Sequence, residues 1–314
     1  MVAMDRLDSL RVFVAVAEAN GFAEAARRLG LSAPAVTRAI LALEQHLGAQ
    51  LLHRTTRSVR VTEAGARFLE DCRRILADLD EAEASAGGAH AVPQGQLSIT
   101  APTMFGRVHV APIVLDFLER YPQVNARTFF VDRVVNLLDE GMDVAVRIAE
   151  LPDSGLTAIP VGSMRNVVVA SPAYLAAHGA PTTPDDLLKD RVIGFSQAGG
   201  QGPPWTFFPP GEKDRAGREV VQPPVRLLSN SSEVKVAAAT RGQGFARALI
   251  YQVAEEVKAG RLQIVLVDHE PPPTPVHVVT LAGRRASAKV RAFVDFAVER
   301  LREEPVLGGA AFLA

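Results

Sequence analysis

Apolar residues along the first 62 positions recur at spacings that predict three helices followed by a hairpin. Spacings of three and four residues predict helices over 7–19, 22–29 and 33–47. Two short runs, at 51–54 and 58–62, predict a pair of strands joined by a tight turn. This order of elements is typical of a helix-turn-helix module that carries a wing.

The third predicted helix begins with residues suited to contact a ligand. Ser32 is a good N-cap, and Ala33 and Pro34 follow in the first turn, where proline needs no hydrogen-bond donor. Thr37 and Arg38 lie one turn further along, opposite the apolar stripe. Helix-turn-helix proteins present this end to base edges in the major groove, where arginine binds guanine O6 and N7. We therefore expect these five residues to contact DNA.

The predicted hairpin is rich in arginine. Arg54, Arg57 and Arg60 surround its turn together with Thr55. Guanidinium and hydroxyl donors of this kind bind phosphates, which raises affinity more than sequence discrimination. The charge pattern agrees, since residues 1–62 carry eight arginines, no lysine and five acidic residues. We expect this segment to be a winged helix-turn-helix DNA-binding domain.

These elements carry a dense motif. Its residues are Phe22-Ala23-Glu24-Ala25-Ala26-Arg27-Arg28-Leu29-Gly30-Leu31-Ser32, Pro34-Ala35-Val36-Thr37-Arg38, Ile40, Leu43-Glu44, Leu47-Gly48, Leu51-Leu52-His53-Arg54-Thr55-Thr56-Arg57 and Thr62-Glu63-Ala64-Gly65. Over residues 5–65 this pattern resembles LysR-type transcriptional regulators, and the length and domain order also fit that family. Ala33 and Leu41 depart from the family pattern, because polar or basic residues are usual there. Base readout is therefore expected to rest more heavily on Pro34, Thr37, Arg38 and DNA shape.

The connector at 63–87 has an apolar repeat of seven residues. Spacings of four and three relate its members, which are Phe68, Cys72, Ile75, Leu79 and Ala82. One helix cannot bury such a stripe by itself, so pairing with a second copy of the chain is the simplest solution. The resemblance implies the same, because the family's linker helix mediates dimerisation and tetramers are common. A dimer reads two half-sites, so we expect promoter DNA with an imperfect inverted repeat.

From residue 88 to the end, short apolar runs alternate with helical patterns. The first of them are strands at 97–100, 126–131 and 144–148 and helices at 105–120 and 134–140. This rhythm predicts two α/β lobes. The resemblance implies an effector domain like the periplasmic binding proteins, with two crossovers between the lobes. We expect the crossovers near 150–161 and 267–276.

Polar residues at the ends of the predicted strands are candidates for an effector site. Open α/β sheets bind ligands outside the carboxyl ends of their strands. Thr100, Pro102 and Thr103 follow the first strand, where hydroxyl and backbone N–H groups can hold an anion. The same reasoning, together with resemblance to cleft positions in the family, adds Ser196, Trp205 and Asn230.

Arg147 ends another predicted strand and allows two interpretations. In the first interpretation, Arg147 faces the cleft and binds a carboxylate of the effector through two hydrogen bonds. Alternatively, it forms an ion pair at the hinge with Glu150 or Asp153.

Composition narrows the class of protein. Apolar residues make up 48% and charged residues 22% of the chain, which is typical of globular proteins. The single cysteine, Cys72, and the scattered histidines have no metal-binding spacing, so we expect neither a metal nor a cofactor. Asp5, Asp8 and Glu18 argue against a signal peptide, and no run of 18 apolar residues exists. We expect a cytoplasmic protein without a membrane partner.

The motifs also argue against catalysis. The segment 194–198 lacks the second glycine of a nucleophile elbow, and no phosphate-binding loop or zinc motif occurs. We expect a DNA-binding transcriptional regulator, controlled by a small-molecule effector, that contacts RNA polymerase if it is an activator. The alternative is a cytoplasmic small-molecule-binding protein with weak or vestigial DNA binding. Loss of salt-dependent DNA binding in the intact chain would favour that alternative.

Overall fold

The structure is a computed structural model of the 314-residue chain. It describes residues 5–54, 59–86, 92–152, 155–197, 202–211, 217–281 and 287–309. The chain divides into two compact units, Met1–Val92 and Pro93–Ala314, called the N-terminal and C-terminal units below. The connector therefore lies in the same compact unit as the helix-turn-helix module.

The N-terminal unit is a three-helix module followed by a small hairpin and a long helix. Its elements are α1 (Arg6–Ala19), α2 (Phe22–Leu29), α3 (Ala33–Leu47), β1 (Leu52–Arg54), β2 (Val59–Val61) and α4 (Glu63–Ala86). The side chains of Asp5 and Ser32 cap α1 and α3. Gly30 and Gly48 end α2 and α3 in the left-handed conformation that glycine adopts easily. Local sequence signals thus account for the boundaries of these helices.

A close backbone contact joins α4 to the segment that precedes β1. Gly65, in the first turn of α4, lies against the backbone of Leu51. A Cβ atom at position 65 would lie 2.0 Å from the carbonyl oxygen of Leu51, so only glycine fits there. The hydroxyl of Thr62 donates to the carbonyl oxygens of Gln50 and Leu51 and accepts from the N–H of Gly65. The Thr62 to Gly65 motif therefore fixes the start of α4 on the module.

The connector prediction needs a correction. Cys72 is fully buried in the core of the helix-turn-helix module of its own chain, and Phe68 is half-buried and packs against that core. The ring of Phe68 lies 5.6 Å from that of Phe13 in α1. Leu76, one turn beyond Cys72, continues this buried face, whereas Ile75 is 43% exposed. The apolar repeat in the first half of α4 is thus the inner face of one folded unit.

The remaining two positions of the predicted apolar repeat, Leu79 and Ala82, lie further along α4. Leu79 is half-buried, and the side chain of Ala82 lies outside the described residues. Pairing of two chains through α4 stays a prediction for the second half of this helix.

The burial of Cys72 predicts that its thiol is unreactive in the folded protein. Burial, with a smaller contribution from the charge of Asp71, raises the pKa of Cys72 to about 11. We expect the folded protein to react negligibly with a thiol reagent such as Ellman's reagent at pH 8, and the denatured protein to react at one thiol per chain. Because the sequence has one cysteine, the assay reports this position alone. Fast reaction in the folded state would contradict the packing of α4 on α1.

The C-terminal unit has two α/β lobes, each built on a five-stranded sheet. The order in lobe 1 is β4-β3-β5-β14-β6, and the order in lobe 2 is β11-β8-β12-β7-β13. The strands of lobe 1 are β3 (Gly95–Ala101), β4 (Val124–Phe130), β5 (Val144–Ile148), β6 (Thr157–Met164) and β14 (Thr274–Thr280). The strands of lobe 2 are β7 (Asn166–Ala170), β8 (Val192–Phe195), β11 (Val225–Ser229), β12 (Phe245–Leu249) and β13 (Gln263–Val265). A separate pair, β9 (Trp205–Phe207) and β10 (Glu219–Val221), is antiparallel.

Helices cover both sheets. They are α5 (Thr103–Phe105), a π-helical segment (Gly106–Val110), α6 (Ala111–Arg120), α7 (Pro172–His178), α8 (Ser232–Thr240), α9 (Ile250–Lys258) and α10 (Ala288–Arg302). The pairs β3/β4, β3/β5, β8/β11 and β8/β12 are parallel, whereas β14 and β7 run antiparallel to their neighbours. The parallel strands place their carboxyl ends at one edge of each sheet, which is where α/β folds bind ligands.

The first crossover lies later than its predicted position. Residues 157–164 form β6 of lobe 1, and the chain enters lobe 2 at Arg165, immediately before β7. The chain returns through residues 266–273, before β14 begins at Thr274. The predicted range 150–161 was too early because β6 is a regular strand of the first sheet, paired along its length with β14.

A buried ion pair joins the two crossover segments. The guanidinium of Arg165 donates from Nε and Nη2 to the two carboxylate oxygens of Glu270, at 2.9 and 2.8 Å. The two side chains are 6% and 13% exposed. This bidentate contact fixes the hinge between the lobes.

The segment 134–140 differs from its predicted structure. The helix expected at 134–140 is absent, and a loop of turns takes its place, with Arg133 bound to both oxygens of Glu140 at 2.7 and 2.6 Å. In the part of the chain that the structure describes, no helix is long and apolar enough to span a membrane.

Candidate DNA-binding and effector-binding sites

The N-terminal end of α3 is an exposed surface. Ser32, Ala33, Pro34 and Arg38 are exposed, and Thr37 is half-buried. Ser32 accepts a hydrogen bond from the N–H of Ala35 at 3.4 Å, and the Thr37 hydroxyl donates to the carbonyl of Ala33 at 3.0 Å. The structure therefore brings all five predicted positions of this helix together on one accessible end.

The hairpin β1/β2 carries the part of the predicted wing that the structure describes. Arg60 is exposed on β2 and pairs with His53 of β1. The backbone of Arg54 ends β1, but its side chain lies outside the described residues, and so do Thr55 and Arg57.

Glu44 has a role that sequence reasoning missed. Its carboxylate accepts hydrogen bonds from the backbone N–H groups of Leu51 and Leu52, at 2.9 and 3.1 Å. A charge-assisted contact of this kind holds the start of the hairpin against α3. Glu44 therefore positions the wing relative to the exposed end of α3.

A cavity of about 450 Å³ lies within the C-terminal unit. Residues at strand ends of both lobes line it, including Pro102 after β3, Ile148 at the end of β5 and Phe195 at the end of β8. Trp205 of β9 lines it too and is buried. Its volume is in the range of small-molecule sites. Among the described residues, no group of metal-binding side chains is present.

Two of the candidates that follow β3, Thr100 and Thr103, do not line this cavity. Thr100 is buried, and its hydroxyl donates to the carbonyl of Phe129 at 2.6 Å. The N–H of Thr103 donates to the carboxylate of Asp132 at 2.9 Å. This side chain of the protein therefore takes the place where an anionic ligand was expected to bind. Of these three neighbouring candidates, only Pro102 lines the cavity.

Arg147 also differs from the expectation. Its guanidinium donates to the carbonyl of Val135 at 2.7 Å, on the side of β5 opposite to Ile148. Ile148 lines the cavity and Arg147 does not, because successive side chains of a strand point to opposite faces. Among the described residues, the printed contact of Arg147 is with Val135, and no ion pair joins it to Glu150, the first of the two hinge partners considered above. Asp153 lies outside the described residues.

The last two candidates lie beside the cavity but are not part of its lining. The N–H of Ser196 donates to the carbonyl of Ser229, which extends the pairing of β8 with β11. Asn230 is exposed, and its carbonyl accepts from the side chain of Gln197. Both continue the edge of the lobe 2 sheet.

Two cations that sequence reasoning missed do line the cavity. Lys235 of α8 is buried, and its Nζ donates to Oε1 of Gln252 at 3.0 Å. Arg247 of β12 donates from Nε to Oδ1 of Asn166 at 3.1 Å. Burial lowers the pKa of Lys235 to about 8 and that of Arg247 to about 10.

The fold and these two sites define a DNA-binding protein with a separate ligand-binding α/β unit. The protein-family model described as "Bacterial regulatory helix-turn-helix protein, lysR family" matches residues 7–66. A second family model, described as "LysR substrate binding domain", matches residues 90–302. The chain belongs to the LysR family of transcriptional regulators.

Individual relatives agree with this family. CrgA of Neisseria meningitidis (strain MC58) is 32% identical over 295 residues, covering 94% of this chain and 96% of CrgA. DmlR of Escherichia coli (strain K12) is 35% identical over 290 residues, covering 92% of each chain. The solved structure of CrgA has a TM-score of 0.58 at 31% identity, covering 94% of this chain and 98% of that chain. The full-length AphB structure from Vibrio cholerae has a TM-score of 0.58 at 26% identity, covering 94% and 99%.

Proposed function

We propose that this LysR-type regulator binds an inverted-repeat promoter site through α3 and the wing, and that a small molecule in the cavity of the C-terminal unit changes its affinity for that DNA. The protein acts as a dimer or tetramer in the cytoplasm, has no catalytic activity, and contacts RNA polymerase if it activates. The accessible end of α3, with Ser32, Pro34 and Arg38 exposed, is the observation that supports this proposal most strongly. The alternative is a small-molecule-binding protein with weak or vestigial DNA binding.

The DNA-binding proposal is tested first with the full-length protein. Binding sites are selected from a random duplex library, and affinity for the selected site is measured by fluorescence anisotropy at several salt concentrations. We expect the selected sequences to contain an inverted repeat, with an affinity that falls steeply as salt rises. Selection without any enriched sequence, together with no salt-dependent binding, would favour the alternative.

Replacing Arg38 by alanine is expected to weaken binding to the selected site by about 1–3 kcal/mol and to relax the sequence preference at one base pair. The reason is the loss of a bidentate contact with a guanine. Arg60→Ala, on β2, is the matched comparison. Because Arg60 is expected to contact a phosphate, its loss should weaken binding to all DNA sequences equally and reduce the slope of affinity against salt by about one unit. Equal weakening of every sequence by Arg38→Ala would reject the base-reading role.

A further inference from the structure

We propose that the cavity of the C-terminal unit binds a small organic carboxylate with an apolar or aromatic body, and that Lys235 and Arg247 together hold its charged end. The inference rests on the proposed function, because it names the chemical class of the effector. It replaces Arg147 with two cations from lobe 2, on α8 and β12.

The charges that line the cavity are unbalanced. Among the described residues of its lining, three are charged, namely Asp132, Lys235 and Arg247. Within that part of the chain, Lys235 and Arg247 have neutral amides as hydrogen-bond partners, from Gln252 and Asn166. A buried cation is normally paired with an acid, because removal from water is costly. The lining therefore has room for one more negative charge.

The two cations repel each other across this space. The charge of Arg247 is one of the causes that lower the pKa of Lys235, and burial is the largest. Asp132 attracts Lys235, but its carboxylate is already bound to the N–H of Thr103. A ligand carboxylate between Lys235 and Arg247 relieves the repulsion and restores the lost solvation of both groups.

The rest of the lining favours an apolar body. Trp205 and Pro203 belong to the wall of the cavity, together with Ile148, Tyr251 and the ring of Phe195, which lies 5.4 Å from Nζ of Lys235. Flat apolar side chains of this kind pack well against an aromatic ring. Sites with mostly apolar walls and a few convergent polar groups are typical of small-molecule binding.

Trp205 provides the readout for the test. It is the only tryptophan in the sequence and lines the cavity, so its fluorescence in the full-length protein reports occupancy. Benzoate, phenylacetate and succinate are titrated beside their uncharged amides, benzamide, phenylacetamide and succinamide. We expect saturable quenching by at least one aromatic acid, with a Kd at least tenfold below that of its amide. No saturation by any acid, or equal affinity for acid and amide, overturns the proposal.

Variants then assign the charged end. Lys235→Met and Arg247→Met each remove one cation at nearly constant volume, and each is expected to raise the Kd of the bound acid at least tenfold. Lys258→Met and Arg226→Met, at exposed positions of the same lobe, should leave the Kd unchanged. Circular dichroism melts verify folding, and Lys235→Met should melt no lower than the parent because methionine has no charge to bury. Unchanged affinity in both cavity variants overturns the assignment.

The pH dependence gives a second, independent readout. In the free protein the pKa of Lys235 is about 8, and a bound carboxylate raises it, so affinity falls as pH rises above about 8. The Kd should be flat between pH 7 and 7.5 and then rise toward tenfold per pH unit. The neighbouring groups do not change charge in this range: the pKa is about 10 for Arg247 and about 12 for Tyr251, and it is lowered for Glu233 and His109. Lys235→Met should abolish the pH dependence, and a flat profile in the parent overturns the role of Lys235.

The same titrations separate this inference from the proposed function. Binding of the acid to the cavity should change affinity for the selected DNA, and DNA should change affinity for the acid by the same factor. If an amide binds as tightly as its acid and alters DNA affinity, the carboxylate class is wrong and the effector role stands. If the acid binds through Lys235 and Arg247 without any effect on DNA affinity, the anion site stands and the effector role is wrong.

Discussion

Replacing Glu270 by alanine is expected to lower the free energy of unfolding by about 3–5 kcal/mol, because it leaves the guanidinium of Arg165 buried without its acid. The two hydrogen bonds between these side chains span the crossover segments, so the loss affects the joint between the lobes. Urea unfolding of the full-length protein, followed by far-ultraviolet circular dichroism, measures the change. The effect should be largest on the transition of the C-terminal unit.

The matched control is an ion pair at the surface of the same unit. Arg300 of α10 and Asp116 of α6 are 2.8 Å apart, with side chains 46% and 50% exposed. Asp116→Ala should lower the free energy of unfolding by less than about 1 kcal/mol, since water screens this pair and hydrates the freed charge. Similar losses for Glu270→Ala and Asp116→Ala would show that the hinge pair is not desolvated as described.

Replacing Phe13 by alanine is expected to lower the free energy of unfolding of the N-terminal unit by about 3–5 kcal/mol, since the ring is fully buried and its removal leaves a cavity. The ring also contacts Phe68 of α4, so the helix-turn-helix module and α4 should lose stability together. Thermal unfolding monitored by circular dichroism measures the loss. Leu41→Ala, at an exposed position of α3, should change stability by no more than about 0.5 kcal/mol.

A double-mutant cycle extends this result to the connector. Phe13→Ala and Phe68→Ala in one chain should be less destabilising than the two single losses added together, by about 0.5–1.5 kcal/mol, because the rings contact each other. Strict additivity would mean that Phe68 does not pack on α1 and would return it to the surface between two chains.

Much of the N-terminal unit follows from local sequence signals. The N-cap Ser32 and the glycines at 30 and 48 act within a few residues of their own position, and the helix ends lie where these residues predict them. The five positions proposed at the end of α3 also come together for that reason, since a helix fixes its own geometry. The contribution of Glu44 was missed because its partners, Leu51 and Leu52, are reached only after the chain turns.

The apolar repeat of the connector shows a different limit. The spacing of Phe68 and Cys72 correctly predicted a buried helix face. Periodicity says that a face is buried but does not identify what covers it, and here α1 of the same chain covers its first half. The close approach of Gly65 to Leu51 also depends on contacts between distant parts of the chain.

The cavity was the hardest feature to predict. Reasoning from strand ends found Pro102 and Trp205, but it placed Arg147 in the cleft, although Ile148 faces it. A shift of one residue along a strand exchanges the two faces, and the sequence around β5 does not settle which face is which. Lys235 gave a signal that was overlooked, because it lies on the same side of α8 as the buried Ala238 and Ala239. A lysine on an otherwise apolar helix face indicates a charge held inside the protein.

The position of β14 has a consequence for synthesis of the chain on the ribosome. Lobe 2 is complete once β13 has emerged, whereas the lobe 1 sheet still lacks the strand that lies between β5 and β6. Until residues 274–280 are translated, the facing edges of β5 and β6 have unpaired backbone groups, which are prone to pair with other chains. The lobe that begins first therefore folds last, and a nascent chain from which β13 but not β14 has emerged from the ribosome holds one finished lobe and one open sheet.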